Sequence, residues 1–249
     1  MTKKAVKIAG IVLAAGDGIR MNSHLPKVLN KVGSKPLVYW ATQALVRAGI
    51  NRPVITVSRA GPLIKKILGQ DYIYIFSEPL GTGWTVLKTQ PFFAKKMPEH
   101  IIVINGDTPL FQPQTVKGLI QAHLQGDSHI TMVTVVLPHP TGYGRIIRDS
   151  NGLVVKTIED KDATAKEKQI KEINAGLYCF QAPWIFTALK KVKKSASGEY
   201  YLTEVIKMAV ETGKKVSAFK INDYFQALGV NTQKQLEEVQ RVFIKRKQS

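Results

Sequence analysis

Two cations, a glycine pair and a lone carboxylate are spaced along this chain as a polyphosphate site would need them. Residues Leu13 to Lys27 read Leu-Ala-Ala-Gly-Asp-Gly-Ile-Arg-Met-Asn-Ser-His-Leu-Pro-Lys. Gly16 and Gly18 let main-chain N–H groups approach an anion closely. Arg20 and Lys27 add positive charge where phosphate oxygens would sit. The pattern is neither a Walker A loop nor a dinucleotide fingerprint, because the third glycine is missing and Val28, not Ser or Thr, follows Lys27. Further on, Asn105-Gly106-Asp107 ends an aliphatic run, Ile101 to Ile104. A carboxylate there could hold a hard divalent cation such as Mg²⁺ that bridges phosphates. Asn231, after the apolar run Phe225 to Val230, could give the same ion a neutral oxygen, or could equally cap a following helix.

Other groups read less sharply. Gly142-Tyr143-Gly144-Arg145 is a glycine-flanked turn where backbone could approach a sugar, or an ordinary hairpin corner. Glu159 precedes Asp160 and Asp162 and could be a solvated acidic turn. Asn174 lies in an apolar run and needs a partner, from a ligand or from neighbouring backbone. The histidines have no metal spacing, with His24 and His139 expected in loops, and no Ser/His/Asp or Cys/His arrangement stands out. Trp40, Trp84 and Trp184 are expected in the core, as is Cys179.

The elements that must position these groups alternate through the first half. Ile8 to Leu13, Val54 to Val57, Tyr72 to Phe76 and Ile101 to Ile104 read as strands. Pro36 to Ala48, Gly81 through Phe93 and Thr115 to Leu124 read as helices. That alternation implies a mostly parallel α/β sheet with right-handed crossovers, and ligands at the carboxyl ends of its strands. Ile130 to Leu137, Gly144 to Ile147, Leu153 to Ile158 and Ile173 to Phe180 form a strand-rich block with short turns, expected to add a small antiparallel extension. Phe225 to Val230 also reads as strand-like. Helices are expected again at Trp184 to Lys190 and Tyr201 to Glu211, and an amphipathic one over Thr232 to Lys247.

Composition narrows the function classes. At 249 residues and 44% hydrophobic content the chain could form one large α/β domain or two small ones with a substantial core, and the lack of an internal repeat or low-complexity linker favours one continuous domain. No run is long and apolar enough to span a bilayer. Lys3, Lys4 and Lys7 precede an apolar run as in a secretory signal, but that run is short and Asp17 and Arg20 follow at once. One cysteine cannot form an internal disulfide, which fits a cytoplasmic setting. The net charge of +18 points first to nucleic acid. The basic residues come as scattered pairs such as Lys65-Lys66 and Lys190-Lys191, without a recognition motif, so a solvated basic surface is the better reading.

Several blocks together carry a resemblance. Leu13-Ala14-Ala15-Gly16-x-Gly-x-Arg20-Met21 with Leu25-Pro26-Lys27 resembles the signature of the sugar-1-phosphate nucleotidylyltransferases. Glu78-Pro79-Leu80-Gly81-Thr82-Gly83, Asn105-Gly106-Asp107, Gly142-Tyr143-Gly144-Arg145, Glu159-Asp160-Lys161-Asp162, Glu172-Ile173-Asn174-Ala175-Gly176, Gly198-Glu199-Tyr200-Tyr201-Leu202-Thr203 and Gly229-Val230-Asn231 narrow it. In order and spacing they resemble the N-terminal uridylyltransferase domain of the bacterial bifunctional enzymes that make UDP-N-acetylglucosamine. The resemblance runs from about Ile8 into the final helix.

It implies a Rossmann-like, mostly parallel mixed sheet flanked by helices, of the nucleotide-diphospho-sugar transferase type. Residues 1–230 would form the nucleotidylyltransferase domain and residues 231–249 a C-terminal amphipathic helix. The implied substrates are UTP and N-acetylglucosamine-1-phosphate, with Mg²⁺ as cofactor. Backbone of Leu13, Ala14, Ala15 and Gly16 would hold the nucleotide, with Arg20 and Lys27 facing its phosphates. Gly81 and Thr82 would contact the uracil, Asp107 and Asn231 would bind Mg²⁺, and Gly144, Glu159 and Asn174 would hold the sugar.

The chain departs from that pattern in places. Phe76 stands where the family presents a glutamine to the uracil edge, and a phenyl ring can stack but cannot hydrogen-bond a base. Asn105 replaces a tyrosine near the sugar. No hexapeptide repeats follow the tail, so the β-helix acetyltransferase domain and its activity are expected to be absent. The competing readings are a pyrophosphorylase of altered nucleotide or sugar specificity, a glycosyltransferase, and a non-catalytic nucleotide-sugar-binding protein. Oligomeric state stays open.

Overall fold

A computed structural model of the chain describes residues 6–16 and 26–248. Arg20, Asp17, Gly18 and His24 lie outside those residues. Aliphatic runs too short for helices make the centre of the sheet: β1 (Ile8–Ala14), β4 (Val54–Val57) and β6 (His100–Asn105), where Ile101 to Ile104 are fully buried. Two short strands between them, β2 (Lys31–Val32) and β3 (Lys35–Pro36), pair only with each other. β1 runs parallel to β4 and β6, and β4 runs parallel to edge strand β5 (Ile73–Phe76). Beyond β6 lie β7 (Ile130–Val136) and β10 (Glu172–Gln181), with β10 antiparallel to both β6 and β7. β11 (Val216–Lys220) adds a parallel edge on β7.

The expected antiparallel extension is the hairpin of β8 (Arg145–Arg148) and β9 (Val154–Ile158), joined to the sheet through β10. The expected mixed, mostly parallel α/β sheet is thus the one observed, in the order β11-β7-β10-β6-β1-β4-β5.

Helices cover both faces. One face carries α1 (Leu37–Arg47) and α5 (Pro113–Gln125), whose buried residues follow helical spacing: Leu37, Val38, Ala41, Ala44 and Leu45 in the first, Val116 and Leu119 in the second. Gly10 is small because α1 ends against it: a Cβ there would sit 2.7 Å from Ile50 Cγ2. The other face carries α3 (Thr82–Leu87), α4 (Gln90–Phe93), α7 (Ala182–Leu189) and α8 (Glu204–Glu211), with Val86, Phe93, Phe186 and Ile206 in its core. The tail helix α9 (Gln233–Gln248) docks on its own chain: Leu236 and Val239 are buried, and Phe243 meets the Trp40 ring at 4.9 Å.

Several expectations need correction. Phe225 to Val230 is no strand; Tyr224–Ala227 is a 3₁₀ turn. Gln226 explains it, since its Oε1 accepts from Thr115 Oγ1 at 2.6 Å and from Gln112 N–H at 3.0 Å, pinning the turn on α5. The run from Gly81 through Phe93 divides because Pro91 opens a separate helix. The helix expected from Tyr201 starts only at Glu204, because Leu202 N–H is held by Thr82 Oγ1 at 3.0 Å. All three tryptophans are half-buried rather than core. Their N–H groups need polar partners, and Trp40 finds one in the Val32 carbonyl at 2.9 Å. Helix α2 (Gly61–Leu68) and strand β11 were not among the elements expected from the sequence.

Two histidines meet inside this fold. His123 is fully buried on α5; its Nε2 lies 3.0 Å from His100 Nδ1 and its Nδ1 2.9 Å from Thr131 Oγ1. Burial first, then the neighbouring His100, pushes His123 down to about 4, with Asp127 opposing. The neutral ring is therefore the folded form. Its contribution is complete above the unfolded value of about 6.5 and is lost as pH falls through about 4. The melting temperature should fall steadily across that window, and His123→Gln should flatten the slope. Equal slopes in calorimetry would remove His123 from the acid response.

Candidate functional site

The parallel strands β1, β4, β5 and β6 all end on one side of the sheet, where backbone ends and loops leave room for a ligand. A cleft of about 420 Å³ opens there. Leu13, Ala15, Gly16, Lys27, Gly81, Thr82, Asn105, Asp107 and Asn231 line it, so most of the expected site residues share one cavity.

β1 and β6 build its floor. Gly106 N–H donates to the Leu13 carbonyl at 2.9 Å, and a Cβ on Gly106 would sit 2.7 Å from that oxygen. Only glycine lets the turn after β6 lie this close to β1. Asp107 follows directly, and Thr108 tightens the turn through its hydroxyl on the Asn105 carbonyl at 2.7 Å. Ala14 N–H is taken by Thr56 Oγ1 at 3.3 Å, which leaves Leu13, Ala15 and Gly16 as the cleft-lining members of the glycine loop.

Lys27 reaches the middle of the cleft. Its ammonium pairs with Asp107 Oδ2 and donates to Asn231 Oδ1 at 2.8 Å. A carboxylate and an amide oxygen from segments far apart in sequence thus converge on one cation. That donor pair fits Mg²⁺, which takes oxygen ligands and keeps places for phosphate oxygens and water. Among the described residues no cluster of three or more His, Cys, Asp or Glu could hold a metal, so substrate would have to complete the coordination. Gln235 Oε1 accepts the Asn231 N–H at 2.8 Å. The capping alternative for Asn231 is overturned: Thr232 caps α9, its Oγ1 accepting the Gln235 N–H at 3.3 Å, so the Asn231 side chain is left to the cation.

The wall opposite is stapled together. Gly83 N–H donates to the Tyr200 carbonyl and Tyr200 N–H to the Leu80 carbonyl, both at 2.8 Å. Gly81 has φ +113°, and a Cβ would lie 2.5 Å from the Tyr200 oxygen. Glu199, next in line, borders the cleft and pairs with Lys161 at 3.2 Å. Its residue type does not mark it; its place next to the stapled Tyr200 does.

A second group forms a knot apart from the residues lining the cleft. Asn174 N–H donates to the Gly144 carbonyl at 2.9 Å, and the Glu159 carboxylate lies against Gly144. Burial raises the Glu159 carboxyl, while the Thr203 hydroxyl at 3.0 Å and then Lys161 act against the rise. Asn174 resolves toward its neighbours: Nδ2 donates to Tyr178 Oη at 2.5 Å, and Oδ1 accepts the Gly176 N–H at 3.2 Å. Burial raises the Tyr143 phenol to about 12, so its hydroxyl stays protonated at neutral pH. Phe76 stands 59% exposed at the end of β5 and does not line the cleft.

Comparison with known proteins follows the same outline. A family described as Nucleotidyl transferase matches residues 9–240. The chain is 42% identical over 240 residues to the Bifunctional protein GlmU of Carboxydothermus hydrogenoformans, covering 96% of this chain and 53% of that protein. It is 39% identical over 237 residues to the protein of the same name from Acetivibrio thermocellus, covering 94% and 51%. Against that of Heliobacterium modesticaldum it is 39% identical over 238 residues, covering 95% and 52%. The chain spans about half the length of the curated relatives it matches.

Proposed function

The chain belongs to the nucleotidyl transferase family, and from that premise we propose that it joins UTP to N-acetylglucosamine-1-phosphate, forming UDP-N-acetylglucosamine and pyrophosphate. The observation that carries this reading is the convergence of Lys27, Asp107 and Asn231 on one point in a glycine-walled cleft. A site for transfer between phosphates needs charge neutralisation more than it needs a protein nucleophile. The attacking group is a phosphate monoester whose second pKa is about 6, so it arrives ionised and no general base is required.

The phosphate oxygen of the sugar attacks the α-phosphorus in line, a new P–O bond forms, and pyrophosphate leaves with the electron pair. Mg²⁺ held by Asp107 and Asn231 would supply charge neutralisation to the phosphates. Backbone of Ala15 and Gly16 cradles the nucleotide, with Gly81 and Thr82 beside its base. Lys27 faces the triphosphate, and the same reading assigns Arg20, which lies outside the described residues, to the phosphates as well. Gly144, Glu159 and Asn174, which are not among the residues lining the cleft, would take the sugar and its acetamido group. Among the described residues no helix is long and apolar enough to cross a membrane, and a cytoplasmic enzyme is part of the same reading.

Asn105, which lines the cleft, favours one variant of it: a pyrophosphorylase with a different nucleotide or sugar preference. Pyrophosphate release across a panel of nucleotides and sugar-1-phosphates, with and without Mg²⁺, decides between them. The expected result is highest kcat/KM with UTP and N-acetylglucosamine-1-phosphate. Equal turnover of dTTP or glucose-1-phosphate would move the assignment to the variant. Binding of UDP-sugar without any pyrophosphate release would leave a binding protein.

A further inference from the structure

Asp107 sits in the tight turn directly after β6, but Asn231 rides on a segment that no strand supports. That segment, Gly229 and Val230, is fixed at two points. Val230 N–H donates to the Asp107 carbonyl at 3.0 Å, and Gly229 N–H donates to Tyr143 Oη, also at 3.0 Å. Tyr143 comes from the loop between β7 and β8, the same loop that carries Gly144. Its ring packs against the core on the α1 and α5 side of the sheet.

The other end of Tyr143 is anchored as firmly. Arg145 is 2% exposed, and its Nη1 donates to the Tyr143 carbonyl. Its Nη2 reaches Asp160 Oδ1 at 2.8 Å, one residue from Glu159. A continuous polar chain therefore runs from Asp160 through Arg145 and Tyr143 to Gly229, and from there to Asn231 and Asp107. It joins the group around Gly144 to the cation ligands, which otherwise sit on separate segments.

We propose that Tyr143 is a positioning residue: by accepting the Gly229 N–H it sets the Asn231 oxygen against Asp107, and it ties the Gly144 loop to the cation ligands. The proposal rests on the reading of Asp107 and Asn231 as cation ligands. Partners that orient metal ligands cost about ten- to a hundredfold in metal affinity or activity when removed.

Tyr143→Phe keeps the ring and deletes only the acceptor. The experiment titrates Mn²⁺ into the full chain with UTP present, reading free Mn²⁺ by electron paramagnetic resonance, and measures pyrophosphate release in parallel. Tyr74→Phe is the control, because that hydroxyl donates to the Gly69 carbonyl at 2.7 Å, away from the cleft. The expected result is an apparent Mn²⁺ dissociation constant raised about tenfold or more in Tyr143→Phe, with kcat lowered alongside, and neither changed in Tyr74→Phe. Unchanged Mn²⁺ affinity and kcat in Tyr143→Phe would overturn the proposal, as would equal losses in Tyr74→Phe. Should Tyr143→Phe not fold, Tyr143→p-aminophenylalanine keeps a weaker acceptor and should give an intermediate Mn²⁺ affinity. If the wild-type chain releases no pyrophosphate, the catalytic reading fails, while the Mn²⁺ titration still reads the positioning role.

Discussion

Asp107→Asn should lower pyrophosphate release by about a thousandfold, corresponding to roughly 4 kcal/mol of lost transition-state stabilisation. The amide has nearly the shape of the carboxylate, so Gly106 still lies on Leu13 and the turn after β6 is kept. What disappears is the negative charge that a hard cation needs, and Asn231 alone offers a neutral oxygen. The fold should lose much less. Lys27 would be left without its charged partner in a half-shielded cleft, a cost of about 1–2 kcal/mol for a partly buried pair. For a chain of this length that lowers the melting temperature by about 2–8 °C. The measurement is initial rate at saturating substrates and Mg²⁺, beside a thermal melt. A variant that retains a tenth of wild-type rate would show that Asp107 does not carry the cation.

Much of the fold was legible because it rests on period and punctuation. Val54 to Val57 and the run ending in Asn105-Gly106-Asp107 are short, apolar and stopped by turn residues, and the strands fall there. Local signals failed where long-range partners decide. Phe225 to Val230 has the apolar density of a strand, but the Gln226 contact with Gln112 and Thr115 bends it. Those partners lie more than a hundred residues away, and no local pattern announces them. β11 was missed for a similar reason: Val216 to Lys220 becomes a strand because β7 offers it an edge.

The site divides in the same way. Gly16, Lys27 and Asp107 were readable from residue type, since glycine, cation and carboxylate at strand ends restrict the chemistry. Tyr143 and Glu199 carry no such mark. Tyr143 looks like one member of a hairpin corner until its hydroxyl is seen on Gly229. Glu199 borders the cleft only because Tyr200 is stapled to Leu80 and Gly83. Asn174 shows the reverse: its type demanded a partner, and its neighbours Tyr178 and Gly176 supply one. The constraint was legible, but its solution depended on the irregular register of β10 between Asn174 and Tyr178.

Lys27→Met should move two measurements in opposite directions. Turnover should fall about a hundred- to a thousandfold, as for other oriented donors that meet developing charge in a water-poor site. Direct Mn²⁺ binding without nucleotide should instead tighten. The reason is that the Lys27 ammonium already occupies the point where Asp107 Oδ2 and Asn231 Oδ1 converge, with Asn231 at 2.8 Å. A divalent ion using the same oxygens must displace it, and methionine offers no competing charge while keeping much of the stem packing. Loss of Mn²⁺ affinity together with rate would mean that Lys27 holds the two oxygens in place instead of competing for them. Unchanged rate would place the triphosphate elsewhere, because no group that faces its phosphates can be removed from the cleft without cost. The opposed signs matter because misfolding lowers both quantities together.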